Sequence, residues 1–140
     1  MNTGRAFVAG IIGTVVMSVV MLGMRAAGVP LHIETRLGGA IGMASWLPGL
    51  ILYVLIGGLV ALVYAAIFEW WLHQAGVGPG LLLGACNTIF AGFIWSRMAG
   101  PGQFWDRFGA AGIGTLFLVH FVYGAVVGGL YRTKHTLEYW

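Results

Sequence analysis

The stretch LVHFVYGAVVGG, Leu118 to Gly129, is the one whose reading decides the fold. It is almost wholly apolar, yet it carries one histidine and three glycines. Residues four apart share a helix face, so His120, Gly124 and Gly128 stand on one line. In lipid no hydrophobic force pulls helices together, and small residues let backbones approach closely. A histidine on such a line is expected to face neighbouring helices rather than acyl chains.

Around this stretch the apolar run extends over about 108–131, and three more runs occur at about 6–24, 47–68 and 79–97. Each is long enough to cross a bilayer, which takes about 20 helical residues. Backbone amides in hydrocarbon must be satisfied within the segment, which makes the spans helices. The expectation is an all-α, integral membrane four-helix bundle, one transmembrane domain over 1–140. Arg5 before an apolar run has the look of a cleaved signal. However, Ala6–Met24 exceeds the usual apolar region of about 7–15 residues, so it reads as a retained span.

Composition agrees. Hydrophobic residues make up 59% of the 140, and charged residues 8%, against about a quarter in soluble domains. The net charge of +3 reflects scarce acids. No Lys/Arg cluster suits nucleic acid, so that partner is excluded. Cys86 is the one cysteine. No disulfide framework or cysteine zinc site follows from it, and it reads as a small buried filler.

Tryptophans favour membrane–water interfaces. Trp46, Trp95 and Trp105 fall at one set of span ends, side B, and Trp70, Trp71 and Trp140 at the other, side A. Arg25, Arg36, Arg97 and Arg107 lie on side B; Arg5, Arg132 and Lys134 lie on side A. Lys/Arg bias sets orientation. The excess of one favours side B as cytoplasmic, and so near a balance is compatible with insertion both ways round. The first long loop, with His32, Glu34 and Arg36, reads as an interfacial or partly re-entrant segment.

An internal repeat adds to this. GMRAAGVP ending the first span resembles WSRMAGPG ending the third, and Tyr53, Gly57 and Tyr64 align with His120, Gly124 and Tyr131. Two duplicated transmembrane hairpins are the expectation, as parallel repeats about an axis near the membrane normal. Every span carries a small-residue line: Gly10, Thr14, Ser18; Gly57, Ala61, Ala65; Gly80, Gly84, Thr88, Gly92, Ser96; Gly112, Leu116, His120, Gly124, Gly128. Among these Gly57, Gly84, Gly92, Gly124 and Gly128 are the expected helix-packing residues. Met17, Met21 and Met24 read as packing residues too.

His120 and Asn87 fall near the bilayer midplane, where polar groups are costly and face the bundle interior. They need partners, and Thr14, Ser18, Thr88, Thr115 and Tyr123 are within the spans to supply them. The plainer reading is a polar midplane cluster of His120, Asn87, Thr88, Ser18 and Thr14, with a neutral His120 bonded to Asn87 or a hydroxyl. Haem needs an iron ligand and generally a second, for which Met17 and Met21 are weak offers. A proton relay needs carboxylates in the membrane, and Glu34, Glu69, Asp106 and Glu138 all sit at span ends or outside. A metal needs three or four ligands, and none cluster. A lipid or quinone cavity with His120 as donor is a further reading. No cofactor is expected, and no triad, phosphate loop or internal carboxylate pair points to an enzyme. Arg25 and Arg97 snorkel to headgroups, or as a pair bind an anionic lipid or a partner's carboxylate.

LVHFVYGAVVGGLY and GIIGTVVMSVVMLGMRAAGVP resemble the last and first spans of a group of small four-span bacterial membrane proteins of unknown function. The second span of that group often has a His and a Gly, where this chain has Tyr53 and Gly57. The resemblance implies a multi-pass protein of the bacterial inner (plasma) membrane and brings no activity. The expected function is an accessory, assembly or scaffold subunit acting through helix packing, with membrane lipids and other membrane subunits or itself as partners. The alternatives are an oligomeric transporter or channel for a small neutral or lipidic molecule, and a haem- or quinone-binding electron-transfer module.

Overall fold

The computed structural model describes residues 1–29, 32–43, 45–99 and 103–131, and at 70, 95–99 and 103–108 it describes the backbone only. All its elements are helical: α1 (Thr3–Ala26), α2 (Ile33–Ala40), α3 (Trp46–Tyr64), α4 (Val77–Ala99) and α5 (Gln103–Leu130). Four helices are long and apolar enough to cross a membrane, over Thr3–Ala26, Trp46–Glu69, Val77–Ile94 and Gly109–Leu130. The chain is an all-α, multi-pass membrane protein. Trp95, Trp105, Arg107, Trp140, Arg132 and Lys134 have side chains outside the described residues, as does Trp70.

Local chemistry sets the helix ends. Asn2 caps α1, its Oδ1 accepting from Arg5 N–H at 3.0 Å, which satisfies one orphan amide of the first turn. Gly28 (φ 91°) ends α1. Its N–H donates to Arg25 C=O at 2.9 Å, and Val29 N–H donates to Met24 C=O at 3.0 Å. This paired closure is the left-handed glycine cap of helix C-termini. Pro48 and Pro79 lie in the first turns of α3 and α4, where their missing N–H is no loss. α3 runs on into a π-helical segment, Ala65–Trp71, closed by Leu72 N–H to Ile67 C=O at 3.0 Å. His73 ends it with a φ of 55°, a left-handed conformation unusual for a side chain with a Cβ. α5 is broken at Gly109 (φ 55°, ψ −176°), so its spanning part starts there.

The helices form a row. α3 packs on α1, α1 on α5, and α5 on α4; α2 packs on α3. Among the described residues α3 and α4 are not in broad contact, so the four spans do not close into a square bundle. The two hairpins, α1 with α3 and α4 with α5, join through α1 and α5. Glycines make each seam. A Cβ at Gly10 would overlap Gly57 C=O and stand 2.8 Å from Gly58 Cα. A Cβ at Gly80 would overlap Gly124 C=O, and one at Gly124 would overlap Gly80 C=O. Gly84 abuts the His120 carbonyl, and Gly128 abuts that of Gly76. Between the hairpins, Gly13 lies against the Tyr123 ring and Val127. Gly92 is buried on the same line of α4.

α2 is the loop segment read as interfacial. Gly38 of α2 and Gly49 of α3 are in backbone contact, and a Cβ on Gly49 would overlap the Glu34 carbonyl. Ile33 is buried beneath the segment, while Ile41, Met43, Trp46 and Leu47 remain exposed at that end. Trp71 is exposed at the other end, and both tryptophans stand at span ends. Cys86 corrects a sequence expectation: it is exposed on α4, not a buried filler. It lies off the seam, because α4 turns only its glycine line and its immediate neighbours toward α5.

Gly124→Leu should separate α4 from α5 and cost about 2 kcal/mol or more by overpacking. Gly114, with nothing within 4 Å of an added Cβ, supplies the control: Gly114→Ala should leave the thermal midpoint in detergent unchanged or slightly raised.

Candidate functional site

The polar side chains inside the spans largely turn back on their own helices. Thr14 Oγ1 donates to Gly10 C=O at 2.9 Å, Ser18 Oγ to Thr14 C=O at 2.8 Å, Thr88 Oγ1 to Gly84 C=O at 3.0 Å and Thr115 Oγ1 to Ala111 C=O at 2.9 Å. Hydroxyls four residues past a carbonyl can do this in any helix, so each is satisfied without a neighbour. His120 follows the same rule. It is 5% exposed, and its Nδ1 lies 2.8 Å from Leu116 C=O. A carbonyl only accepts, so this contact assigns a proton to Nδ1.

The cluster expected from sequence is therefore resolved differently. His120, Thr14 and Thr88 are buried, and Ser18 and Asn87 are half-buried, but no hydrogen bond joins one of the five side chains to another among the described residues. His120 bonds to its own helix and not to Asn87 or a hydroxyl. The reason is distance in sequence: a carbonyl one turn back is always within reach, whereas a partner on another helix needs the right rotation.

Within the spans the hydrogen bonds that cross between elements come from tyrosines; of these, sequence offers Tyr123 as a partner for the polar cluster and Tyr53, Tyr64 and Tyr131 only as repeat positions. Tyr123 OH donates to Gly57 C=O at 2.5 Å, linking α5 to α3 past α1. Tyr53 OH reaches Met17 Sδ at 3.1 Å. Tyr64 is fully buried; its OH donates to Gly76 C=O and accepts from Gly76 N–H, both at 2.8 Å. Its ring meets Tyr131 edge-on at 6.3 Å. Tyr131 OH donates to Glu69 and accepts from Asn2 N–H at 3.0 Å. Glu69 also faces the Met1 amine at 3.5 Å, and Arg5 donates to the Leu130 carbonyl from Nε at 3.1 Å and Nη2 at 2.8 Å. These contacts tie the start of α1 to the ends of α3 and α5 on side A. A phenol suits the task, being an apolar body with one donor at the tip. The available signal was that Gly57 lacks a side chain to shield its carbonyl, which leaves it open to a long donor.

On side B, Arg25 meets Glu34. Its Nη2 lies 2.6 Å from both carboxylate oxygens, with the side chains 20% and 13% exposed. Arg25 is thus engaged by a carboxylate of its own chain, where the sequence suggested a lipid or a partner's carboxylate. The Arg97 side chain lies outside the described residues, so the proposed pair of arginines is not placed. Burial pushes the Glu34 carboxyl up, but the Arg25 hydrogen bond and charge outweigh it and hold the group below its ordinary value.

Among the described residues no three His, Cys, Asp or Glu side chains gather as metal ligands. An open groove between α4 and α5 is lined by Leu81, Leu82, Ala85 and Phe121, all apolar. The hydroxyls and the imidazole fix helix geometry, and the charged contacts sit at the two membrane faces.

Tyr123→Phe should destabilise the protein by about 1 kcal/mol, the scale of one interhelical hydrogen bond in a membrane, with helix content unchanged by circular dichroism. For the ion pair, the folded carboxyl is lowered, so its stabilisation is present above the ordinary value of 4.5 and is lost as pH falls through the lower folded value. Glu34→Gln should cost about 2 kcal/mol at neutral pH, as for a hydrogen bond to a charged group. Thermal midpoints of variant and wild type should converge as the pH is brought below that range.

The chain matches no family model, no curated protein and no solved structure.

Proposed function

We propose that this chain is a small bacterial inner-membrane protein that works as an accessory, assembly or scaffold subunit, docking on other membrane proteins by helix packing. It performs no catalysis of its own in this reading. The observation that carries the proposal is the inward closure of its polar groups. The described threonine and serine hydroxyls of the spans bond within their own helices, the tyrosine hydroxyls are taken up by partners inside the chain, and the seams within each hairpin are filled by backbone against backbone. Apart from the half-buried Asn87, what faces outward from the spans is mostly apolar side chain, including Val15 and Val19 on α1, Ile51, Leu55 and Leu59 on α3, and Phe90 and Phe93 on α4. In lipid such surfaces gain from a protein partner only where it packs more closely than acyl chains do. The reading therefore favours a packing surface over a conduit.

Affinity capture of the tagged full chain from native membranes, extracted with its lipids into nanodiscs, tests this. The expected result is one or more larger membrane proteins recovered in fixed stoichiometry. Recovery of the chain alone, together with solute flux in liposomes that His120→Leu abolishes, would overturn it in favour of transport.

A further inference from the structure

Asn87 is the polar side chain in the spans that the rules above leave unaccounted for. It lies near the middle of the α4 span, Val77–Ile94. It is half-buried, and no hydrogen bond to its carboxamide occurs among the described residues, whereas Thr88 beside it bonds to Gly84. No side-chain nitrogen or oxygen is both buried and unpaired among the described residues. Its Oδ1 and Nδ2 therefore reach the surface of the chain, at the depth of the acyl chains. A carboxamide brought from water to hydrocarbon without partners costs several kcal/mol, so such a group marks a contact that the single chain does not complete.

The helix that carries it stands at one end of the row, α3 at the other. α4 packs broadly on α5 alone, while α1 and α5 each have two neighbours. Its spanning window is 22% buried, against 44% for α5. At helical spacing Cys86, Asn87, Phe90 and Ile94 share one flank of α4, and Cys86, Phe90 and Ile94 are exposed.

We propose that a second copy of this chain covers that flank, and that α4 pairs with α4 of the partner about a two-fold axis beside Asn87. The chemistry favours a second copy over another occupant. A carboxamide holds both an N–H donor and a C=O acceptor. Two of them facing across a two-fold axis satisfy each other reciprocally, as an isologous contact requires of any residue near its axis. A lipid tail offers neither donor nor acceptor, and lipid headgroups lie a half-bilayer away. Mid-span placement brings the two groups to one depth by symmetry, with no adjustment of tilt. The dimer deepens the assembly reading above by naming one partner, and it rests on that reading only in taking helix packing as the mode of association.

The test uses the purified full chain in liposomes over a series of protein-to-lipid ratios, with a short bismaleimide to join Cys86 to Cys86. The expected result is a cross-linked dimer whose yield follows a two-state dilution curve. Asn87→Leu should shift that curve roughly tenfold toward monomer, the scale of one or two interhelical hydrogen bonds, and Asn87→Gln should largely restore it. Circular dichroism and thermal midpoint establish that the variants fold; Asn87→Val replaces Asn87→Leu if the latter does not. A cysteine moved to α3 at the other end of the row, Leu55→Cys in a Cys86→Ser background, should not cross-link. A monomer at all ratios, or a dimer indifferent to Asn87→Leu, overturns the proposal. The capture experiment in native membranes reads foreign subunits and this one reads the isolated chain, so either can fail without the other.

Discussion

Backbone contact between glycines is the constraint on which the rest depends. Inside a bilayer, burying an apolar side chain against another gains little that lipid does not already offer. What lipid cannot match is the dispersion contact of two main chains in direct apposition, many weak atom pairs acting together. Gly10 against Gly57 and Gly80 against Gly124 provide it. Once those seams close, the carbonyl of Gly57 lies where Tyr123 reaches it. The tyrosine bonds are consequences of the seam as much as supports for it.

The same closeness shapes the polar chemistry. With helices this near, a hydroxyl on the seam has no room to extend sideways and folds back on its own turn. Thr14, which presses its Oγ1 toward Gly57, donates to Gly10. A threonine or serine in this setting behaves as a small residue whose one polar atom is internally satisfied. His120 does likewise through Nδ1, and it is the residue's carbonyl, not its imidazole, that meets Gly84.

Much of this was legible in the sequence. Span number, helical class and the small-residue lines follow from hydrophobic length and four-residue spacing, both properties of one chain segment at a time. The partners were less legible. Which line meets which depends on helix rotation, and that is decided by several seams at once; the expected bond from His120 to Asn87 or a hydroxyl gives way on this ground to one with Leu116 C=O. The open row, with α3 and α4 apart, was not visible either, since a repeat in sequence says nothing about whether its halves close into a ring. Tyr53, Tyr64 and Tyr131 carry their donors at the end of a long ring, and no local pattern announces where that end lands. Arg25 and Glu34 are nine residues apart, on either side of the left-handed Gly28 that ends α1, and no periodic spacing pairs them.

The row has one further property. Successive spans run in opposite directions, so each neighbouring pair, α3 with α1, α1 with α5 and α5 with α4, is antiparallel. Helix macrodipoles aligned this way oppose one another. Two point each way across the bilayer, and the assembly carries no net peptide field along the membrane normal. At each face two helix N-termini alternate with two C-termini, so the long-range backbone potential there largely cancels. What electrical asymmetry the molecule has resides in its side chains at the two rims.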